Sequence, residues 1–472
     1  MSRTGIAMRI RGAVYAFGLV SLIGAPAVLR AENIADAMIG AYNTSGLLEQ
    51  NRAVLRAADE DVAAAVASLR PIVQFIARAA ANNNSFGSSN SLSQLDTSRI
   101  TARLQATMTL FDNGARRLGA LAAKELVLAT RQTLVSFEQR VLLRAVEAHM
   151  DVILQTENVS LRENNVRVLG EELRAAQDRF DVGEVTRTDV ALAESRLAAA
   201  RSNLASARGL LVNAKAEYKN AVGRDPVSLV NPTNLPKRPA TIDAAQAIAV
   251  RYHPDILSAQ RQVAARELQI QRATKGLGPS ITGTVAVQRN EDWNRSLDGN
   301  DAELSFDFTQ PIYSGGALQS AIRKATADRD ASRGNLLNVQ RDTVQAVNNA
   351  FVSLEVARAS LTATAERVRA AQVAFDGIRE EATLGARTTL DVLSAEQELL
   401  DALTAQISAR AEQVIASYQL VASQGLLTAE RLGLAVQIYD PTIYYNLAKD
   451  APATVSKQSK DLDRVLEALG KR

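Results

Sequence analysis

The side chains able to do covalent or metal chemistry are few, and their spacing argues against catalysis. No cysteine occurs in 472 residues, which removes disulfides, thiolate zinc sites, thiol nucleophiles and a lipid-carrying N-terminal Cys. Two histidines, His149 and His253, are too few for most His-rich metal sites. Glu147, His149 and Asp151 cluster, but positions two apart on a helix point in different directions. The cluster is therefore expected to be a solvated helix face. His253-Pro254 stands where an early helix should bend, a structural position. Gly315-Gly316 opens a long helix, whose N-terminus could hold a phosphate, yet no Lys-Ser/Thr pattern accompanies it. No nucleophile pairs with a base. The expectation is a protein that is not an enzyme and needs neither cofactor nor metal.

What remains is a set of charged residues inside two copies of one glycine turn. Arg179-Phe180-Asp181-Val182-Gly183-Glu184-Val185-Thr186-Arg187-Thr188-Asp189-Val190 aligns with Glu381-Ala382-Thr383-Leu384-Gly385-Ala386-Arg387-Thr388-Thr389-Leu390-Asp391-Val392 at an offset of 202, and Glu194 then meets Glu396. The same offset carries Phe111-Asp112-Asn113-Gly114-Ala115 onto Tyr313-Ser314-Gly315-Gly316-Ala317. A register held over that distance indicates an internal duplication. Proline placement agrees. None occurs between Pro71 and Pro226 or between Pro311 and Pro441, whereas Pro226, Pro232, Pro236 and Pro239 cluster. Long gaps permit long helices, and the cluster marks a linker. The expected organisation is a leader at 1–31, a first repeat at 32–225, a linker at 226–241, a second repeat at 242–433 and a C-terminal segment at 434–472.

The elements that must carry these turns follow from hydrophobic period. Residues 33–68 predict a helix. A second helix is expected from about 113 to 181, because Leu134, Phe137, Val141, Ala145, Ala148 and Val152 form one apolar stripe. At 1.5 Å per residue it is on the order of 100 Å long, too long for a globular core and suited to a coiled-coil assembly. A third helix is expected from 187 to 223. Elsewhere the period falls to 2. Ile100, Ala102, Leu104, Ala106, Met108 and Leu110 alternate with Thr101, Arg103, Gln105, Thr107 and Thr109. Ile281, Gly283, Val285 and Val287, and then Leu304, Phe306 and Phe308, repeat the pattern in the second half. The strand Ile72–Arg78 fits less cleanly, and polar loops are expected at 82–98 and 289–302. Strands of about 10 residues with alternating faces are the signature of outer-membrane barrels.

Charge and leader fix the compartment. The chain has 54 basic and 51 acidic residues. Arg3, Arg9, Arg11 and Arg30 precede any acid, and without them the balance is 50 to 51. No basic surplus remains to bind nucleic acid. A basic start, the apolar run Ala13–Ala25 and small residues at Ala25, Ala27 and Ala31 predict a secretory signal peptide. The expected fold class is mainly α with a β-barrel part. Four strands cannot close a membrane barrel, since the smallest have about eight, and an open edge in lipid leaves backbone groups unsatisfied. An oligomer is required.

The order helix, strand pair, long helix, glycine turn, helix, given twice, resembles the TolC family of outer-membrane channel-tunnel proteins. Carrying the resemblance are the two turn segments and Gln310-Pro311-Ile312-Tyr313-Ser314-Gly315-Gly316, and it spans nearly everything from Glu32 to Gly433. Ile438-Tyr439-Asp440-Pro441-Thr442-Ile443-Tyr444-Tyr445 is similar to the subset working in type I protein secretion. The resemblance implies a homotrimer with a 12-stranded barrel in the outer membrane and a helical tunnel in the periplasm. It implies a periplasmic adaptor and an inner-membrane ABC, RND or similar pump as partners, for type I protein secretion or multidrug efflux. It also implies a gate at the two glycine turns. There Thr188 and Asp189 would face Arg387, and Asp391 would belong to an acidic ring lining the constriction. Two positions depart from the family pattern: Ala382 stands where the family has a gate tyrosine, and Ser394 where it has a second acid. Two other classes stay open at this point: a periplasmic adaptor, which would normally carry one helical hairpin flanked by β-rich domains, and a structural coiled coil, which would not need alternating strands.

Overall fold

A computed structural model describes residues 31–88, 91–292, 299–449 and 456–468. The expected leader, apart from Ala31, lies outside the described residues, as do 450–455 and 469–472 of the tail.

The first half runs α1 (Ile34–Thr44), α2 (Gly46–Ala67), β1 (Ile72–Ser88), β2 (Ser91–Phe111), α3 (Ala115–Asp181) and α4 (Arg187–Val222). The second half runs α5 (Ile242–Tyr252), α6 (Pro254–Lys275), β3 (Ser280–Asp292), β4 (Gly299–Thr309), α7 (Ala317–Thr383) and α8 (Thr389–Ser423). Short helices α9 (Pro441–Ala448) and α10 (Lys457–Ala468) follow. α3 and α7 have 67 residues each and begin and end at the offset of 202 seen in the sequence. Both open on a glycine in the left-handed region, Gly114 and Gly316, where a residue with a Cβ would be strained.

The early helices are each broken once. Ser45 ends α1, and its hydroxyl accepts from the Leu48 amide to start α2. At the matching place His253 ends α5 and caps α6, its Nδ1 accepting from the Asp255 amide at 3.3 Å, with Pro254 at the first helical position. Proline is tolerated there because that amide has no helical partner to lose.

The four strands form one antiparallel sheet in the order β1-β2-β3-β4. Its register sorts the faces. Phe75, Leu104, Val287 and Ala302 lie side by side across the sheet, while Gln74, Gln105, Ala286 and Glu303 form the next row. The apolar row points outward into open space: Phe75, Leu104 and Val287 are exposed, as are Phe306 and Phe308. The polar face is knit by side chains. Arg103 donates to Gln105, Gln288 and Glu303, and Gln105 donates to Gln74. Ile72 and Ile76 fall on the polar face, through Thr107 and Arg103, which explains why β1 alternates poorly. The strands are longer than expected. Residues 82–88 and 91–98 pair within β1 and β2 rather than forming a loop, and 289–292 pair with β2, where 289–290 also meet the start of β4. Ladder bonds join backbone groups whatever the side chains, so polar strand ends escape a search for apolar alternation. Among the described residues, β1 and β4 each keep one unpaired edge.

Long helices pack in antiparallel pairs, α3 with α4 and α7 with α8, and α3 also touches α8. The main core sits midway along them, around Leu48, Leu142, Met150, Tyr218 and Leu427. Glu32 closes this region. It accepts from the Tyr218 hydroxyl at 2.5 Å and from Arg224, and its backbone bridges to the linker at Ser228 and Val230. His149 is fully buried here, with Nε2 3.2 Å from the Val230 carbonyl. This corrects the expectation of a solvated face at 147–151. The three side chains do diverge: Glu147 accepts from Gln419 and Asp151 from Gln155. No helix among the described residues is long and apolar enough to cross a membrane.

Candidate gate at the helical tip

Both long helices turn back at the same end of the molecule. Gly183 and Gly385 hold φ of 80° and 78°, the left-handed conformation that ends a helix cheaply only at glycine. Each return helix then starts on a reciprocal cap. Thr186 and Asp189 exchange bonds: the Thr186 hydroxyl accepts from the Asp189 amide, and Oδ2 of Asp189 accepts from the Thr186 amide at 2.9 Å and hydroxyl at 2.7 Å. Thr388 and Asp391 repeat this at 3.0 and 2.8 Å. Bonds of this kind favour the ionised carboxylate. Bonds from Thr186 hold the Asp189 carboxyl below the usual carboxylate range, and those from Thr388 do the same for Asp391. Both acids are therefore charged at neutral pH.

Arg387 donates from Nε to Oε2 of Glu381 at 2.7 Å, and that bond raises its already high pKa. Within one chain, no ion pair among the described residues joins Asp189 to Arg387. Glu381 stands at the near side of the same turn and engages the guanidinium locally. Asp189, Arg387 and Ala382 nevertheless line one cleft of about 910 Å³ between the two turns, together with Glu172 and Arg379. Thr188 lies in the exposed first turn of α4, and Ser394 is exposed one turn beyond Asp391.

A seam of polar contacts between the two helix pairs escaped the sequence. Nearest the tip, Arg379 of α7 lies 3.9 Å from Glu172 of α3. Above it the Asn165 amide donates to Glu396 at 2.9 Å, with both residues buried. Arg410 and Glu157 approach at 3.7 Å, and Gln419 donates to Glu147. Glu194, aligned with Glu396 in the sequence, is exposed. The repeat therefore showed which residues correspond but not which of them face the seam. Among the described residues no acid or histidine cluster could hold a metal ion.

A strand sheet with an apolar outer face, a polar inner face and helices about 100 Å long beneath it defines an outer-membrane channel of the tunnel type. A family model described as outer membrane efflux protein matches residues 41–224 and 247–426. The chain is 35% identical over 421 residues to the outer membrane efflux protein BepC of Brucella suis, covering 89% of this chain and 91% of that one. It is 25% identical over 431 residues to the outer membrane protein TolC of Escherichia coli, covering 88% and 86%. Its fold superposes on the solved channel CusC with a TM-score of 0.75 at 17% identity, over 83% of this chain and 91% of that one. The chain belongs to the outer membrane efflux protein family. It is an outer-membrane channel protein and not an enzyme.

Proposed function

We propose that three copies of this chain close one 12-stranded barrel in the outer membrane, and that their helices form a periplasmic duct through which an inner-membrane pump, coupled by a periplasmic adaptor, expels its cargo. The observation that carries this is the four-stranded sheet with an apolar outer face and two unpaired edges. An open edge in lipid costs several kcal/mol per unsatisfied group, and pairing β4 of one copy with β1 of the next removes every edge. The name of BepC favours efflux as the service performed. The leader at 1–31 delivers the chain across the inner membrane.

At the tip, Arg387 with Glu381 and Asp189 with Thr186 stiffen the two turns in the closed form, and three Asp391 carboxylates ring the pore and favour cations. Its exposed sheet argues against a periplasmic adaptor or a structural coiled coil. Detergent extraction of outer membranes followed by mass measurement tests the assembly: a detergent-bound particle of three chains is expected, and a water-soluble monomer would end the proposal.

A further inference from the structure

We propose that the Asn165–Glu396 pair is a second clasp of the duct, which holds the α3/α4 pair against the α7/α8 pair only while the Glu396 carboxyl carries a proton. This rests on the duct function proposed above. The contact lies away from the tip turns, within the seam where α3 meets α8. Oε1 of Glu396 accepts from Asn165 at 2.9 Å, whereas Oε2 is buried with no hydrogen-bond partner among the described residues. A buried carboxylate needs partners on both oxygens, while a neutral carboxyl tolerates such a site far better.

The surroundings supply little to hold a charge. α3 and α4 contribute Leu169, Leu197 and Ala200 to the apolar cluster that Leu393 joins one turn before Glu396. Of the charged groups near it, Glu172 of α3 opposes ionisation and Arg379 of α7 favours it, and the two face each other at 3.9 Å. On α4, Glu194, Arg196 and Arg201 are exposed. On α8, Glu398 is turned to Arg367, and on α3 Arg167 is turned to Glu171. Burial dominates and pushes the Glu396 carboxyl up to about 7.

Opening of a duct built from two helix pairs requires them to part or rotate at this seam, which admits water to Glu396. The closed state thus binds the proton more tightly than the open state, so rising pH favours opening. If an open seam returns Glu396 to its ordinary value of 4.5, the ratio of open to closed rises about tenfold between pH ~6 and ~8. Asp189 and Asp391 stay ionised across that window, their pKa values being lowered, and do not produce the step.

Planar-bilayer conductance of the full-length trimer, read from pH 6 to 8 for the wild type and for Glu396→Gln, tests this. Glutamine keeps an acceptor for Asn165 and cannot ionise. The expected result is a wild-type ratio of open to closed that rises about tenfold for each seam that opens and a Glu396→Gln channel that stays closed and flat. A second measurement is the infrared difference spectrum of wild type minus Glu396→Gln, in which the carbonyl band of a protonated carboxyl should be present at pH 6 and lost by pH 8, the buried Asp59 carboxyl cancelling between the two. A conducting wild type with no pH step, a step retained in Glu396→Gln, or no such band overturns the clasp and leaves the duct standing. Failure of every variant to conduct overturns the duct and the clasp with it.

Discussion

Arg387 and Glu381 form their ion pair across a single glycine turn, Nε to Oε2 at 2.7 Å, rather than across the cleft to Asp189. The guanidinium therefore stiffens the turn that carries it. Arg387→Ser and Glu381→Ala should each raise the open fraction in bilayers, and the double variant should open no further than either single one, because both remove one contact. Arg387→Ser with Asp189→Ala should instead combine additively, since Asp189 serves the Thr186 cap. A strong coupling between Arg387 and Asp189 would show that they meet across subunits in the trimer.

Sheet register predicts an asymmetry between faces. Leu104→Arg or Phe306→Arg places a charge on the apolar face and should cost about 2–4 kcal/mol near the membrane midplane, lowering trimer yield. Ser305→Ala, one position from Phe306 on the polar face, should leave the yield near that of the wild type. Equal losses from both faces on a native gel would contradict the register.

The reciprocal caps predict a local effect at the tip. Thr388→Ala removes the hydroxyl that starts α8 and donates to Asp391, at a cost of about 1 kcal/mol. Amide hydrogen exchange should accelerate about fivefold in the first turn of α8, with little change midway along the helices. The same change should let the Asp391 pKa rise toward its ordinary value. Asp391 is ionised above its folded pKa and loses charge as pH falls through it, so cation preference should fade at a higher pH in Thr388→Ala than in the wild type. Reversal potentials in a salt gradient across the acid range measure this.

Burial lowers the pKa of His149, whose Nδ1 has no partner among the described residues. A histidine depressed on folding keeps its contribution above its ordinary value of 6.5 and loses it as pH falls below, because the unfolded chain then binds the proton that the folded chain refuses. Thermal stability should therefore decline below about pH 6.5, and His149→Gln should flatten that decline. An unchanged acid slope in the variant would place the sensitivity elsewhere.

Repetition and alternation make most of the architecture legible in the sequence. The offset of 202 located both glycine turns and both long helices, and the period-2 runs at 100–110 and 281–287 marked strands that do pair. The polar ends of those strands were missed because backbone pairing leaves no trace in side-chain polarity. The partner that Arg387 takes within one chain was not legible, for a different reason. Whether Arg387 turns to Glu381 or to Asp189 depends on the path of the turn, and whether Glu396 or Glu194 enters the seam depends on how two helix pairs are rotated against each other. Neither quantity is carried by composition or spacing. His149 shows the same limit, since its neighbours Glu147 and Asp151 made a buried position look solvated.

A water-filled path through an assembly of this chain is tested most directly by single-channel recording on detergent-extracted protein in planar bilayers. Discrete conductance steps are expected, small in the wild type, larger in Arg387→Ser, and less cation-preferring in Asp391→Asn. A bilayer that stays silent for all three, with the protein inserted, would contradict the account.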